Sequence, residues 1–278
     1  RPGVRAIHKE RNSYVKKVAL SSTIDLYENQ PWTISCWMVS DTQHYDQWIG
    51  STVNNGRDRV HMASGTGQLA VVDNSSSQVY IGPTVSADTL THVVVQCNGA
   101  GSSHIRAVVD GVAGSWYTLT GSHLEVTRLF GNDSGTTTYI FGGVMGDVMI
   151  HERLLTINEI KELADPTNVM LSGMLKQVAP TSYKPVAPVS NAYTLAPAVH
   201  TASKTADQRP QDFELDNSHP LAKGLVFAGL GQNARGNYYH DSSTHGDHGT
   251  LTNGNWDTGV GRRAIRVYGE PLNVDEYI

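Results

Sequence analysis

The segment Phe141-Gly-Gly-Val-Met-Gly-Asp-Val-Met-Ile-His-Glu-Arg-Leu-Leu-Thr-Ile-Asn-Glu-Ile-Lys-Glu-Leu163 leaves few ways to fold. Val144, Val148 and Ile150, with Met145 and Met149, make a short and mostly apolar strand. The paired glycines before it suit a tight entry where backbones approach closely. Thr156 then reads as a helix N-cap, with Glu159 three residues on as its capping-box partner. Ile157, Ile160 and Leu163 come next at helical spacing, so one short amphipathic helix closes the segment. The residues before this segment read as strands, and those after it read for some distance as a connection.

The preceding strands show period-two alternation. In Pro31-Trp-Thr-Ile-Ser-Cys-Trp-Met-Val39, Trp32, Ile34, Cys36 and Met38 point one way and Thr33, Ser35, Trp37 and Val39 the other. Tyr45 to Ser51 reads as another strand, and Arg59 to Ala63 with Gln68 to Val72 as a hairpin around Gly65-Thr-Gly67. Asp73 to Ser77 reads as a turn, Leu90–Gly99 and His104–Val112 as the next strand pair, and Asp110-Gly111 as a hairpin turn. Tyr139 to Phe141 leads into the closing strand. Seven side chains, Trp32, Ile34, Cys36, Val93, Val95, Val148 and Ile150, are expected to be buried in facing sheets. Cys36 and Cys97 sit in core-like runs and read as buried free thiols, since two cysteines make no disulfide framework.

Composition supports an all-β reading and excludes several functions. Only 17% of the 278 residues are charged and 27 are glycine, which fits a turn-rich sandwich. The net charge of −5 excludes a nucleic-acid footprint, and no apolar run is long enough to span a bilayer. No signal-peptide pattern opens the chain.

Gly146, Asp147, Val148, Ile150, Arg153, Leu154, Thr156, Glu159 and Ile160 together resemble the end of a LamG-like jelly roll of the concanavalin A-like lectin/glucanase superfamily. Gly146 departs from that pattern, where an acid is common. Trp32 to Trp37 resembles the family's "Phe-Thr-Ile-Ser-Ala-Trp" strand. His92, Val93, Val95, Val109, Asp110 and Gly111 match its next pair. The resemblance implies a concanavalin A-like antiparallel β-sandwich over residues 1–169.

Residues 170–212 carry Pro180, Pro185, Pro188, Pro197 and Pro210 without periodicity, and read as an extended arm. Tyr183, Val186, Tyr193 and Leu195 on it are expected to touch a neighbouring surface. Residues 213–278 return to the family from its other end. His219 to Phe227 resembles its opening strand, His248-Gly-Thr-Leu251 its "Asn-His-Gly-Thr-Leu" segment, and Gly261 to Gly269 the strand after it. Pro2 to Ile7 is a weaker copy of that last strand. Residues 213–278 are therefore a partial second domain, or strands that fill the gap in the first body within the chain or in a neighbour.

No strand carries the alternating acids of a glycosidase, and no nucleophile, zincin or phosphate-loop motif is present. The expected protein is non-enzymatic, with no catalytic residue. Trp48, Trp116 and Tyr117 are candidates for stacking on a sugar, with core as the bland alternative for each. Asp147 and Asp241 are candidates for a Ca²⁺ ion between closing and opening strands. The stretch from His240 to His248 reads as a glycine turn more readily than as a metal site. The opening Asn217-Ser-His-Pro-Leu-Ala-Lys-Gly-Leu-Val226 resembles phage-encoded members of the superfamily. That implies a virion structural protein, a capsid decoration or fibre, whose partners are copies of itself or other virion proteins. The alternative is a secreted or cell-surface carbohydrate-binding module with a glycan partner.

Overall fold

A computed structural model describes residues 7–9, 17–40, 47–51, 57–63, 65–87, 89–121, 123–131, 143–165, 175–177, 213–229, 238–252, 255–257 and 264–266. In chain order the strands are β1 (Ile7–Lys9), β2 (Lys17–Tyr27), β3 (Pro31–Ser40), β4 (Gln47–Gly50), β5 (Arg59–Met62), β6 (Leu69–Val72) and β7 (Gln78–Ile81). Next come β8 (Thr91–Asn98), β9 (Ile105–Val109), β10 (Val112–Ala113), β11 (His123–Leu129) and β12 (Gly143–His151), then helix α1 (Ile157–Ala164). The chain continues with β13 (Leu175–Gln177), β14 (Phe213–Leu215), a 3₁₀ turn at Pro220–Ala222, β15 (Leu225–Gly229), β16 (Tyr238–Tyr239), β17 (Gly249–Thr252), β18 (Asn255–Asp257) and β19 (Ala264–Arg266).

Two sheets face each other. One runs β10-β9-β8-β3-β12-β1-β19-β18, with β15 also on β12. The other runs β16-β17-β2-β11-β4-β5-β6-β7. The pair β13-β14 stands apart from both. Between the large sheets lies one apolar core, with Ile34, Cys36, Val95 and Val148 from the first and Val18, Leu26, Val60, Leu69 and Val126 from the second. All seven side chains expected in the core are buried. They do not face one another, however: β3, β8 and β12 are neighbours in one sheet, and the opposing wall comes from β2, β4, β5, β6 and β11. The alternation of Trp32, Ile34, Cys36 and Met38 toward the core holds throughout β3. Cys36 and Cys97 are buried and free.

Local signals explain the connections. Asp110 (φ 47°) and Gly111 (φ 76°) both turn left-handed, joining β9 to β10 as a two-residue hairpin. Thr156 Oγ1 accepts from Glu159 N–H while Glu159 Oε2 accepts from Thr156 N–H, so the capping box is closed on both sides. The helix then lays Ile160 and Leu163 on Val94, Val108 and Met149, covering the outer face of the first sheet. No helix among the described residues is long and apolar enough to cross a membrane.

The C-terminal segment enters this same sandwich. β15 pairs antiparallel with β12, Val148 to Gly229 and Ile150 to Phe227, and β17 pairs with β2, Leu251 to Val18. Phe227 is fully buried and stacks on Tyr239, whose ring meets Phe130 edge-on. Gly229 is required there, because an added Cβ would overlap the Tyr239 ring. Residues 170–174 and 178–212, with Tyr183, Val186, Tyr193 and Leu195, lie outside the described residues, as do Tyr14, Val15 and 139–141.

If β15 belongs to the common core, Phe227→Ala should lower the stability of the whole sandwich by about 3–5 kcal/mol, like other buried aromatic truncations. Chemical denaturation followed by tryptophan fluorescence checks this. An unchanged main transition would mean that residues 213–278 fold apart from the body.

Candidate functional site

Backbone alternation on two adjacent strands builds the candidate site. On β2, Ile24 and Leu26 enter the core, so Asp25 and Tyr27 stand outward. On β11, Leu124 and Val126 enter the core, so His123 and Glu125 stand outward. The register places Glu125 opposite Asp25 and His123 opposite Tyr27. Tyr27 is 44% exposed and its ring lies 5.7 Å from the His123 ring. His123 Nε2 is 3.6 Å from Glu125 Oε1, and its Nδ1 is 3.0 Å from the Asn74 side-chain amide nitrogen. Ser51 Oγ donates to Glu125 Oε2. One ligand atom from each of Asp25, His123 and Glu125 lies within 4.8 Å of the others.

Behind this row the rim of the sandwich is acidic and buried. Glu28 comes after β2, Asp58 precedes β5 and Asp73 comes after β6, and each is nearly inaccessible. Asp73 is fully used: Oδ1 accepts from Ser75 N–H, Ser75 Oγ and Ser77 N–H, and Oδ2 from Gly121 N–H. Gly121 must be glycine, since a Cβ would strike that carboxylate. Asp58 Oδ1 accepts from Glu125 N–H at 3.3 Å. Asp58 Oδ2 and Glu28 Oε1 are buried and accept no hydrogen bond among the described residues. Glu28 Oε2 lies 3.3 Å from His104 Nε2.

These placements shift protons. Burial, with the Asp73 charge adding and His123 opposing, pushes Glu28 up to about 7. Burial also raises Asp58, reinforced by Glu125 and Asp73 against the Glu125 N–H bond and His123. His104 is lowered by burial, so the Glu28–His104 contact favours neutral partners over an ion pair. Elsewhere, burial lowers His61 and His92 to about 3 and His151 to about 4.

The residues singled out from sequence lie elsewhere. Trp48 is fully buried in the core, so neither face of its ring can meet a sugar. Trp116 is half-buried with one face covered by the Arg106 guanidinium, 4.3 Å from the ring centre. Tyr117 is half-buried against the core and bridges Ile105 through its backbone. Burial raises the Tyr239 hydroxyl well above its ordinary range, and the charges of Asp147, Cys36 and Asp241 add to that. Both Asp241 oxygens are already taken, by Ala228 N–H and Ser243 N–H on one side and Ser243 Oγ and Asp247 N–H on the other. A cation between Asp147 and Asp241 would displace those donors. In the stretch from His240 to His248 the His240 and His248 imidazoles stack at 4.8 Å, and His248 Nδ1 accepts from Asp241 N–H.

The sequence reading missed Asp25, Glu28, Asp58, Asp73, His123 and Glu125. Their signal was the alternation Ile24-Asp-Leu-Tyr27 and His123-Leu-Glu-Val126, but nothing local shows that those two segments pair.

Residues 12–161 match the family described as the concanavalin A-like lectin/glucanases superfamily. No curated protein matches the chain. Among solved structures, a heptameric SAP-like pentraxin from Limulus polyphemus is similar at 13% identity and TM-score 0.46, over 60% of this chain and 82% of that one. A carbohydrate-binding protein, so described provisionally, from Bacteroides ovatus is similar at 13% identity and TM-score 0.47, over 94% of this chain and 62% of that one. The binding domain of botulinum neurotoxin serotype G is similar at 14% identity and TM-score 0.40, over 61% of this chain and 43% of that one.

The proton shifts predict how stability varies with pH. His61, His92 and His151 have folded values below 6.5, so their contribution is intact above 6.5 and is lost as pH falls toward 3 to 4. Glu28 has a folded value near 7, above 4.5, so its contribution declines as pH rises from 4.5 to 7. Between 4.5 and 6.5 the lowered imidazoles of His61, His92 and His151, with His104 in the same direction, outweigh the raised carboxyls of Glu28 and Asp58, and stability should rise with pH. Glu28→Gln should steepen that rise by about one proton in denaturation measured across the range in metal-free buffer. An unchanged slope would show that Glu28 ionises normally.

Proposed function

Because the chain belongs to the concanavalin A-like lectin/glucanase superfamily, we propose that it is a carbohydrate-binding protein whose sugar lies on the outward face of β2 and β11. The observation that carries this reading is the exposed Tyr27 ring set beside His123, two residues along the strands from the opposed carboxylates of Asp25 and Glu125. An aromatic face meets the apolar C–H face of a sugar ring, and carboxylates accept from its hydroxyls. The acidic row favours neutral or amino sugars and disfavours anionic ones by charge repulsion. The role is binding, with recognition by shape and hydrogen bonds.

A second reading is a structural component of a virion, in which copies of the chain are held together by exchanged strands. It is favoured by the placement of β15 and β17, which finish both sheets from beyond residues 170–212. An identical segment of a neighbouring copy would make the same pairings. Mass spectrometry of purified virions and the solution mass of the chain test that role.

For the glycan reading, a glycan array should show saturable binding to one neutral or amino-sugar class. Tyr27→Ala should weaken it by about tenfold, or ~1.4 kcal/mol. Trp116→Ala, away from β2 and β11, should leave it unchanged. Equal loss in both variants, or no binding to any glycan, would overturn the assignment.

A further inference from the structure

The row Asp25, His123 and Glu125 has a second chemical meaning that needs no sugar. Asp25 and Glu125 are directly opposed across antiparallel strands, where like charges destabilise the pair. His123 reaches into the same space. We propose that these three side chains bind a zinc-class divalent cation, with one coordination position left open to solvent.

The geometry is close to what such an ion needs. Tetrahedral bonds of about 2.1 Å set neighbouring ligand atoms roughly 3.4 Å apart. His123 Nε2 and Glu125 Oε1 already stand at 3.6 Å, and all three ligand atoms fall within 4.8 Å of one another, so side-chain rotation on an open face closes the site. The histidine is also aimed. Asn74 holds Nδ1 at 3.0 Å, which turns Nε2 toward the carboxylates. An amide presents oxygen or nitrogen by a half-turn, so Asn74 can accept from Nδ1–H while Nε2 keeps its lone pair for the metal.

An independent observation points the same way. Asp58 is 1% exposed, and its Oδ1 accepts the backbone N–H of Glu125. Its Oδ2 is buried with no donor among the described residues. That carboxylate sits against the backbone of Glu125, and a burial without a compensating partner is costly. A doubly charged ion on the outer side of Glu125 supplies the missing positive field. The donor set fixes the class of ion. One imidazole nitrogen with two carboxylate oxygens suits Zn²⁺, whereas Ca²⁺ takes six to eight oxygens. Three protein ligands leave the fourth position to water or to an incoming donor.

The test uses the full chain, freed of metal with chelator and titrated calorimetrically with ZnCl₂ and, in parallel, CaCl₂. The chain carries twelve histidines, so variants must locate the site. Asp25 is exposed, and Asp25→Asn keeps its size, so that variant retains the fold. The expected result is one zinc per chain, not displaced by calcium. Asp25→Asn and His123→Asn should each weaken binding at least tenfold, and Asn74→Ala by about tenfold as a positioning effect. Cobalt should give the visible absorption of a four-coordinate site, absent in Asp25→Asn. Zinc binding as tight in Asp25→Asn as in the parent, preference for calcium, or no zinc binding would each overturn the proposal. None of these readouts involves a glycan, so they stand or fall apart from the sugar-binding reading.

Discussion

Strand β12 has two backbone edges, and β3 satisfies one of them along most of its length. The other edge has to be shared. β1 covers Gly143 to Met145, and β15 covers Val148 to His151. Between them Asp147 adopts φ 49°, and the register against β3 shifts from Gly146 to Met149. That bulge divides one strand edge between two claimants from opposite ends of the chain. Unpaired backbone groups at the centre of a sheet are costly, so the C-terminal segment is held here by necessity. Further polar contacts pin it. His151 Nε2 pairs with Leu221 O, Glu152 N–H donates to Gly224 O, and Arg153 donates to Lys223 O and Pro220 O.

Arg153 links that docking to the helix. Its guanidinium also makes a two-pronged contact with Glu159, at 2.6 and 3.1 Å. Burial alone would raise Glu159; the Arg153 contact and the Thr156 donors outweigh it and hold the carboxyl at about 2. The capping carboxylate therefore serves the helix N-terminus and the C-terminal turn together. On the opposite sheet β17 adds to β2, and Ser22 Oγ donates to Asp247. β17 flanks β2 only from Lys17 to Leu20, and the stretch with Asp25 and Tyr27 is held by its ladder with β11. The chemistry proposed for Asp25 and Tyr27 depends on that β11 ladder.

Local order was legible in the sequence wherever one segment decides its own shape. The capping box, the Asp110-Gly111 hairpin, the hairpin at Gly65 to Gly67 and the alternation in Trp32 to Met38 are all of this kind. What failed needed knowledge of distant partners. Placing β3, β8 and β12 in facing sheets assumed that successive apolar strands oppose one another, whereas they lie side by side and β2 and β11 build the other wall. Trp48 sits in a run with no clean alternation, because its pairing with β5 slips between Gln47 and Ile49. The acidic row was invisible for the same reason. Asp25 and Glu125 are a hundred residues apart, and each alone is an ordinary outward acid on a strand.

Connectivity and chemistry separate in this molecule. An antiparallel ladder is indifferent to the order in which its strands occur along the chain, so strands resembling a family's opening work as well after the closing strand as before it. Length of connection affects stability only weakly, by about 0.6 kcal/mol for each doubling of a loop. The segment 170–212 is therefore tolerable as a link, whether it returns to its own body or reaches another. The glycan binding proposed on the outward face of β2 and β11 and the assembly proposed through β15 and β17 use different parts of the sheets. An exchanged C-terminal segment would still present Leu251 to Val18 and leave Asp25, Tyr27, His123 and Glu125 outward. Self-assembly would then multiply the number of sugar sites on one particle, and weak single-site affinity would be raised by multivalency without any new contact.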